Sequence, residues 1–144
     1  MVLRRIAMGL VALGLCAFTS PIGDALALDY PTRPVTIVVG YTPGATSDLL
    51  ARTVAERLNA AWGQSVIVDN RSGVGGNIAA AYVARAPADG YTLMVGTDAM
   101  MTSNIFLYKN TPFDPAKDFQ LIGAESSRYY KGLHFIMVRD LAAP

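Results

Sequence analysis

The stretch VVGYTPGATSDLLAR, Val38 to Arg52, joins two kinds of pattern. A β-branched apolar run stops at Gly40, and a short loop punctuated by Pro43 and Gly44 follows. Thr46 and Ser47 then place two hydroxyls side by side, ahead of Asp48. From Asp48 to Ala61, Leu50, Val54, Leu58 and Ala61 recur at helical spacing, and Gly63 supplies a stop. A strand that passes through a short loop into a helix is the opening half of a βαβ unit. Such a junction has two uses. The first backbone N–H groups of a helix are unpaired and carry a partial positive charge, so they attract anions. Gly44 permits close approach to the backbone, and Thr46 and Ser47 can donate hydrogen bonds. Equally, Gly44 could serve only the turn, and Thr46 or Ser47 only cap the helix. The spacing does not choose between them.

Outward from this junction the pattern alternates. PVTIVV (Pro34 to Val39) is nearly all apolar, as a strand covered on both faces should be. SVIVD (Ser65 to Asp69) predicts a second strand, and NRSGVGGN (Asn70 to Asn77) a glycine-rich loop. NIAAAYVARA (Asn77 to Ala86) predicts a helix with Asn77 as its cap and Pro87 as its stop. ADGYTLMVG (Ala88 to Gly96) turns at Asp-Gly into a third strand, and a helical segment is expected around Ser103 to Tyr108. KNTPFDPAKDF reads as a connection, QLIGA and LHFIMV as two more strands. The alternation predicts an α/β fold, a parallel sheet flanked by helices. Ligands of such sheets sit at the carboxyl ends of the strands, which puts the loop from Thr42 to Asp48 at the functional edge.

The N-terminus belongs to a different argument. MVLRR is basic, Ile6 to Phe18 is unbroken and apolar but short for a bilayer span, and Ala25 to Ala27 offers a small-x-small cleavage site. Residues 1–27 therefore read as a secretory signal peptide, the rival reading being an uncleaved anchor. Of 12 Lys+Arg, Arg4 and Arg5 lie in this leader; of 11 Asp+Glu, Asp24 does, so the remainder is charge-balanced. That gives no electrostatic case for a nucleic-acid partner. Cys16, the only cysteine, leaves with the leader, so no disulfide or thiol nucleophile is expected.

Catalytic constellations are missing from the sequence. His134 is the only histidine and sits in an apolar run, where a core or edge role is the ordinary one. No G-x-S-x-G elbow, clustered metal ligands or short-range carboxylate pair is present, and no cofactor is expected. GVGGNI (Gly73 to Ile78) fails the dinucleotide fingerprint at its last position, and GATSD lacks the G-K-[ST] of a phosphate loop. Pattern alone gives Asp48 the role of complementing the helix dipole; holding a ligand amine or stiffening the loop are sharper alternatives. Arg71 reads as a structural or solvated arginine, and the pair Met100–Met101 as packing.

The linked motifs carry a resemblance. YPTRPVTIVV, PGATSDLLAR, WGQSVIVDNRSGVGGNIAA, ADGYTLMVGT and LYKNTPFDPAKDFQLIG, from Tyr30 to about Gly123, resemble the N-terminal part of the Bug-type periplasmic solute receptors of tripartite tricarboxylate transporters. The resemblance implies a two-domain α/β receptor, with a periplasmic-binding-protein-like first domain, that closes on a small carboxylate. It implies a ligand loop at Thr42, Pro43, Gly44, Ala45, Thr46 and Asp48, flanked by Gly75 and Gly76, with Thr97 and Asn104 contributed after the third strand. It also implies membrane components of a transporter as partners, a periplasmic location and a monomer if the chain is complete. The family usually has two glycines where this chain has Gly44–Ala45, which is tolerable only if Ala45 needs no positive φ. Met100 and Met101 stand where small, hydroxyl-bearing or imidazole residues are common, which implies altered ligand chemistry. The expected division is a signal at 1–27, a first domain at 28–124, and at 125–144 the start of a crossover into a missing second domain. On this reading the first domain is itself incomplete. The alternative function is a truncated remnant of such a receptor that binds nothing.

Overall fold

A computed structural model describes residues 29–126 and 133–139 of the chain. The elements run β1 (Val35–Val39), α1 (Thr46–Trp62), β2 (Val66–Asn70), a tight turn (Val74–Gly76), α2 (Asn77–Ala84), β3 (Thr92–Thr97), a π turn (Ala99–Ser103), α3 (Asn104–Leu107), β4 (Phe119–Ser126) and β5 (Leu133–Arg139). The expected signal peptide lies outside the described residues. No helix among those described is long and apolar enough to cross a membrane.

The five strands form one sheet in the order β2-β1-β3-β5-β4. β1 is parallel to both β2 and β3, with Ile37 opposite Val68 and Leu93. The expected parallel sheet is thus found where helices link the strands. β5 departs from it: it is antiparallel to both β3 and β4. Residues 127–132 are too few for a parallel crossover, which needs a dozen or more, so β4 and β5 can only meet antiparallel. Leu133–Arg139, expected to lead toward a second domain, is an inner strand of this sheet, and the expected boundary at 124/125 falls inside β4.

The alternating faces of β1 explain its nearly all-apolar sequence. Val35, Ile37 and Val39 pack on the α1 side with Ala51, Ala55, Val95 and Val138. Val38 packs on the α2 side with Ala79, Ala80, Val83, Met94 and Met137. A strand covered on both faces is nearly all apolar, and the one polar residue, Thr36, is the one that is only half-buried. The helical stripe expected at Leu50, Val54, Leu58 and Ala61 is displaced. Ala51 and Ala55 lie deepest, Leu50, Val54 and Leu58 flank them half-buried, and Ala61 is exposed. Small residues let the helix axis approach the sheet, so the larger side chains splay to the sides. Helix α1 stops at Gly63, whose left-handed φ of 64° lets its N–H reach the Asn59 carbonyl.

Candidate functional site

The carboxyl ends of β1, β2 and β3 bring three loops together. The first, Gly40 to Ala45, leads straight into α1. Ala45 occupies the cap position with φ −67° and ψ 161°, so it needs no positive φ and alanine is accommodated there. Gly44 does need glycine, with φ +83°. No side chain caps the helix, so the expected capping by Thr46 or Ser47 does not occur; Thr46 is already the first helical residue. The first intrahelical bond is Leu49 N–H to the Ala45 carbonyl at 3.0 Å. The amides of Thr46, Ser47 and Asp48 precede that ladder, beside exposed Thr42, Pro43 and Gly44.

Asp48 braces this loop from behind. The residue is 1% exposed, and its carboxylate accepts from three kinds of donor. Oδ2 takes the Gly44 N–H at 2.8 Å and the Arg52 Nε–H at 2.9 Å, and Oδ1 takes the Asn70 amide at 2.9 Å. The Arg52 guanidinium bonded to it, helped by the Gly44 and Asn70 donors, holds the carboxyl down at about 2 against the opposing effect of burial. The carboxylate is therefore spent on loop stiffening, the sharper of the non-ligand roles open to it, and dipole complementation is a by-product. Asn70 also donates to the Tyr41 carbonyl at 3.1 Å, tying the end of β2 to the first loop. Tyr41 in turn meets Thr97 across the sheet edge, hydroxyl to hydroxyl at 3.0 Å.

The glycine loop is held differently. Gly73, Val74, Gly75 and Gly76 all have positive φ, and Gly76 N–H closes the turn on the Gly73 carbonyl at 2.9 Å. Val74, with φ +50°, is a β-branched residue in a left-handed conformation, at a cost of about 1–2 kcal/mol. Asn104 is 4% exposed and reaches back from α3, donating to the Gly75 carbonyl at 3.0 Å and to Asn77 Oδ1 at 2.7 Å. A carbonyl can only accept, so this pair of bonds fixes both amide orientations and leaves Asn77 Nδ2 buried without a partner among the described residues. Asn77, expected to cap α2, is instead its first residue, following Gly76 at the cap.

All three segments touch. A Cβ on Gly40 would stand 2.8 Å from Gly76 Cα and 3.3 Å from Met100 Cε, so the end of β1 lies directly on the glycine loop. Arg71 is structural: it pairs with Asp69 at 2.7 Å and stacks over Tyr82 at 3.6 Å. The structure thus divides the ten residues singled out from sequence. Thr42, Pro43, Gly44, Ala45, Thr46, Gly75 and Thr97 are exposed or half-buried at the edge, while Asp48, Gly76 and Asn104 are buried supports behind it. Sequence reasoning missed Asn70 and Tyr41, which join the loops. The one local signal was a strand ending in Asp-Asn at the carboxyl edge of the sheet.

The family pattern described as "Tripartite tricarboxylate transporter family receptor" matches residues 50–134. The chain belongs to that family, one of receptors rather than enzymes. The protein of the tcbD-tcbE intergenic region of Pseudomonas sp. (strain P51) is 36% identical over 117 residues, covering 81% of this chain and 33% of that protein. BugT of Bordetella pertussis is 34% identical over 111 residues, covering 76% and 34%. Among solved structures, R. palustris Rpa4515 with adipate matches with a TM-score of 0.64 and 50% identity over 66% of this chain and 32% of that one. MatC from Rhodopseudomonas palustris with bound malate matches with a TM-score of 0.62 and 35% identity, covering 66% and 32%. The chain spans about one third of the length of these relatives.

Proposed function

We propose that this chain carries the carboxylate-holding loops of a periplasmic receptor that captures a small carboxylate for a tripartite transporter. The observation that carries the reading is the uncapped first turn of α1 beside the exposed Thr42–Gly44 backbone, held open by a buried Asp48. Unpaired N–H groups at a helix start suit a carboxylate, and a preformed loop lowers the ordering cost of binding. The similar structures with adipate and with malate support a small carboxylate as the ligand class. Thr46 supplies a hydroxyl, Gly44 and Ala45 backbone, and Gly75 and Thr97 the facing walls. Asp48, Gly76 and Asn104 contribute to the site by fixing those groups. A second α/β lobe would close over the ligand by hinge motion, without covalent chemistry, and hand it to the membrane components. Residues 1–27 direct the chain to the periplasm.

The test is calorimetry of adipate and malate against the full chain and its Thr46→Val variant. The expected result is carboxylate binding weakened roughly tenfold by the variant, the worth of one hydrogen bond to a charged group, at an unchanged melting temperature. Equal affinity would remove Thr46 from the site, and an unchanged chain that binds neither acid would overturn the reading.

A further inference from the structure

Met100 is fully buried, yet it lies outside the sheet, in the π turn that follows β3. The widened turn aims its side chain inward, beneath the loops rather than toward the open edge. A Cβ on Gly76 would meet Met100 Sδ at 2.6 Å, Cε at 2.8 Å and Cγ at 3.0 Å. A Cβ on Gly40 would meet Cε at 3.3 Å. The thioether therefore fills the space that two glycines leave vacant, one at the end of β1 and one in the glycine loop. A side chain on Gly76 would have to displace the methionine, and one on Gly40 would first strike the Gly76 backbone. Gly40 is the first residue of the first loop, and α2 begins one residue beyond Gly76. The methionine thus packs against both glycines where the two loops touch, and supports that contact from below.

We infer that Met100 is a positioning residue for the carboxylate site and that it sets which length of dicarboxylate the site prefers. The inference rests on the reading that these loops hold the ligand. Met100 touches no ligand; it acts by supporting the contact between the loops that do.

The experiment measures adipate and malate affinity by calorimetry on the full chain and on Met100→Ala, Met100→Leu and Met94→Ala. Met94 is fully buried in the same cluster but sits in the middle of β3, so its truncation makes a comparable cavity away from the loops. A variant that is merely less stable loses apparent affinity for both acids by the same factor, because only its competent fraction has fallen. A respaced site changes them unequally. The expected result is a shift in the adipate-to-malate affinity ratio of roughly fivefold in Met100→Ala, a fraction of what one methylene is worth in a shaped pocket. Met94→Ala should leave the ratio unchanged, and Met100→Leu, which conserves volume, should keep it within about twofold. Should the alanine variant fail to fold, Met100→Val carries the same comparison. An equal loss for both acids, or the same shift in Met94→Ala, overturns this inference and leaves the carboxylate reading intact. Absence of binding by the unchanged chain overturns both.

Discussion

The two loops that face each other at the sheet edge are braced by different physics. The first is held by charge: a buried carboxylate collects a backbone N–H, an amide and a guanidinium. The second is held by neutral amides and by the absence of side chains, with Asn104 clipped to Gly75 and Met100 filling the room that Gly76 leaves. A charged brace tolerates local crowding but depends on pH. A steric brace ignores pH but tolerates no added atom.

Gly44 and Gly76 test the steric side of that contrast most sharply, because they share a left-handed backbone and differ only in surroundings. Gly76→Ala should cost about 3 kcal/mol, adding a clash with the Met100 sulfur to the backbone penalty. Gly44→Ala should cost only about 1 kcal/mol, since a Cβ there meets nothing within 4 Å and the penalty of φ +83° stands alone. Denaturant melts of the pair would show the gap, and equal costs would mean that the glycine loop yields freely.

The charged brace comes next in size. Asp48→Asn should cost about 2 kcal/mol, because the Gly44 N–H and the Arg52 guanidinium lose a charged acceptor. Its pH signature is specific. The folded carboxyl titrates at about 2, below the ordinary value near 3.9, so protons bind the unfolded chain first as pH falls. The stabilisation is complete above about pH 5 and declines as pH drops toward 2. Melting temperatures from pH 7 down to pH 2.5 should therefore fall more steeply in the unchanged chain than in Asp48→Asn. Parallel curves would place the acid sensitivity elsewhere. The smallest effect is a gain. Val74→Asn should stabilise by about 0.5–1 kcal/mol, because asparagine tolerates the left-handed region that valine resists. A loss on melting would mean that the exposed valine side chain makes contacts that offset its strain.

What was legible in the sequence follows what is local. The β-branched run of β1 announced a strand covered on two faces, the Asp-Gly turn announced the start of β3, and Gly63 announced the end of α1. The loop at Thr42–Asp48 was placed at the carboxyl ends of the strands by the order of elements alone. The buried face of α1 was misjudged because hydrophobic size was read as depth, whereas Ala51 and Ala55 are deepest for being small. Asn77 looked like a cap because a polar residue before an alanine run usually is one; here Asn104, far along the chain, claims its oxygen. The brace on Asp48 was also out of reach. Arg52 lies one helical turn away and could have been paired with it, but Asn70 arrives from the next strand and no local pattern announces it. The direction of β5 was open to reading, since the short segment before it forbids a parallel return.

The strand order also has a consequence in time. β4 touches the sheet only through β5, the strand made after it, and β5 fills the slot between β3 and β4. As the chain emerges from a ribosome or a translocation pore, β3 keeps one unpaired edge and β4 has no partner until residue 139 has cleared the exit. Both edges, and the apolar side chains of Met94 and Val95 between them, are exposed to other chains over that interval. A helper that holds the unfinished chain extended would therefore matter most for the stretch from Thr92 to Arg139, and least for the β1–α1–β2 unit, whose partners are already at hand.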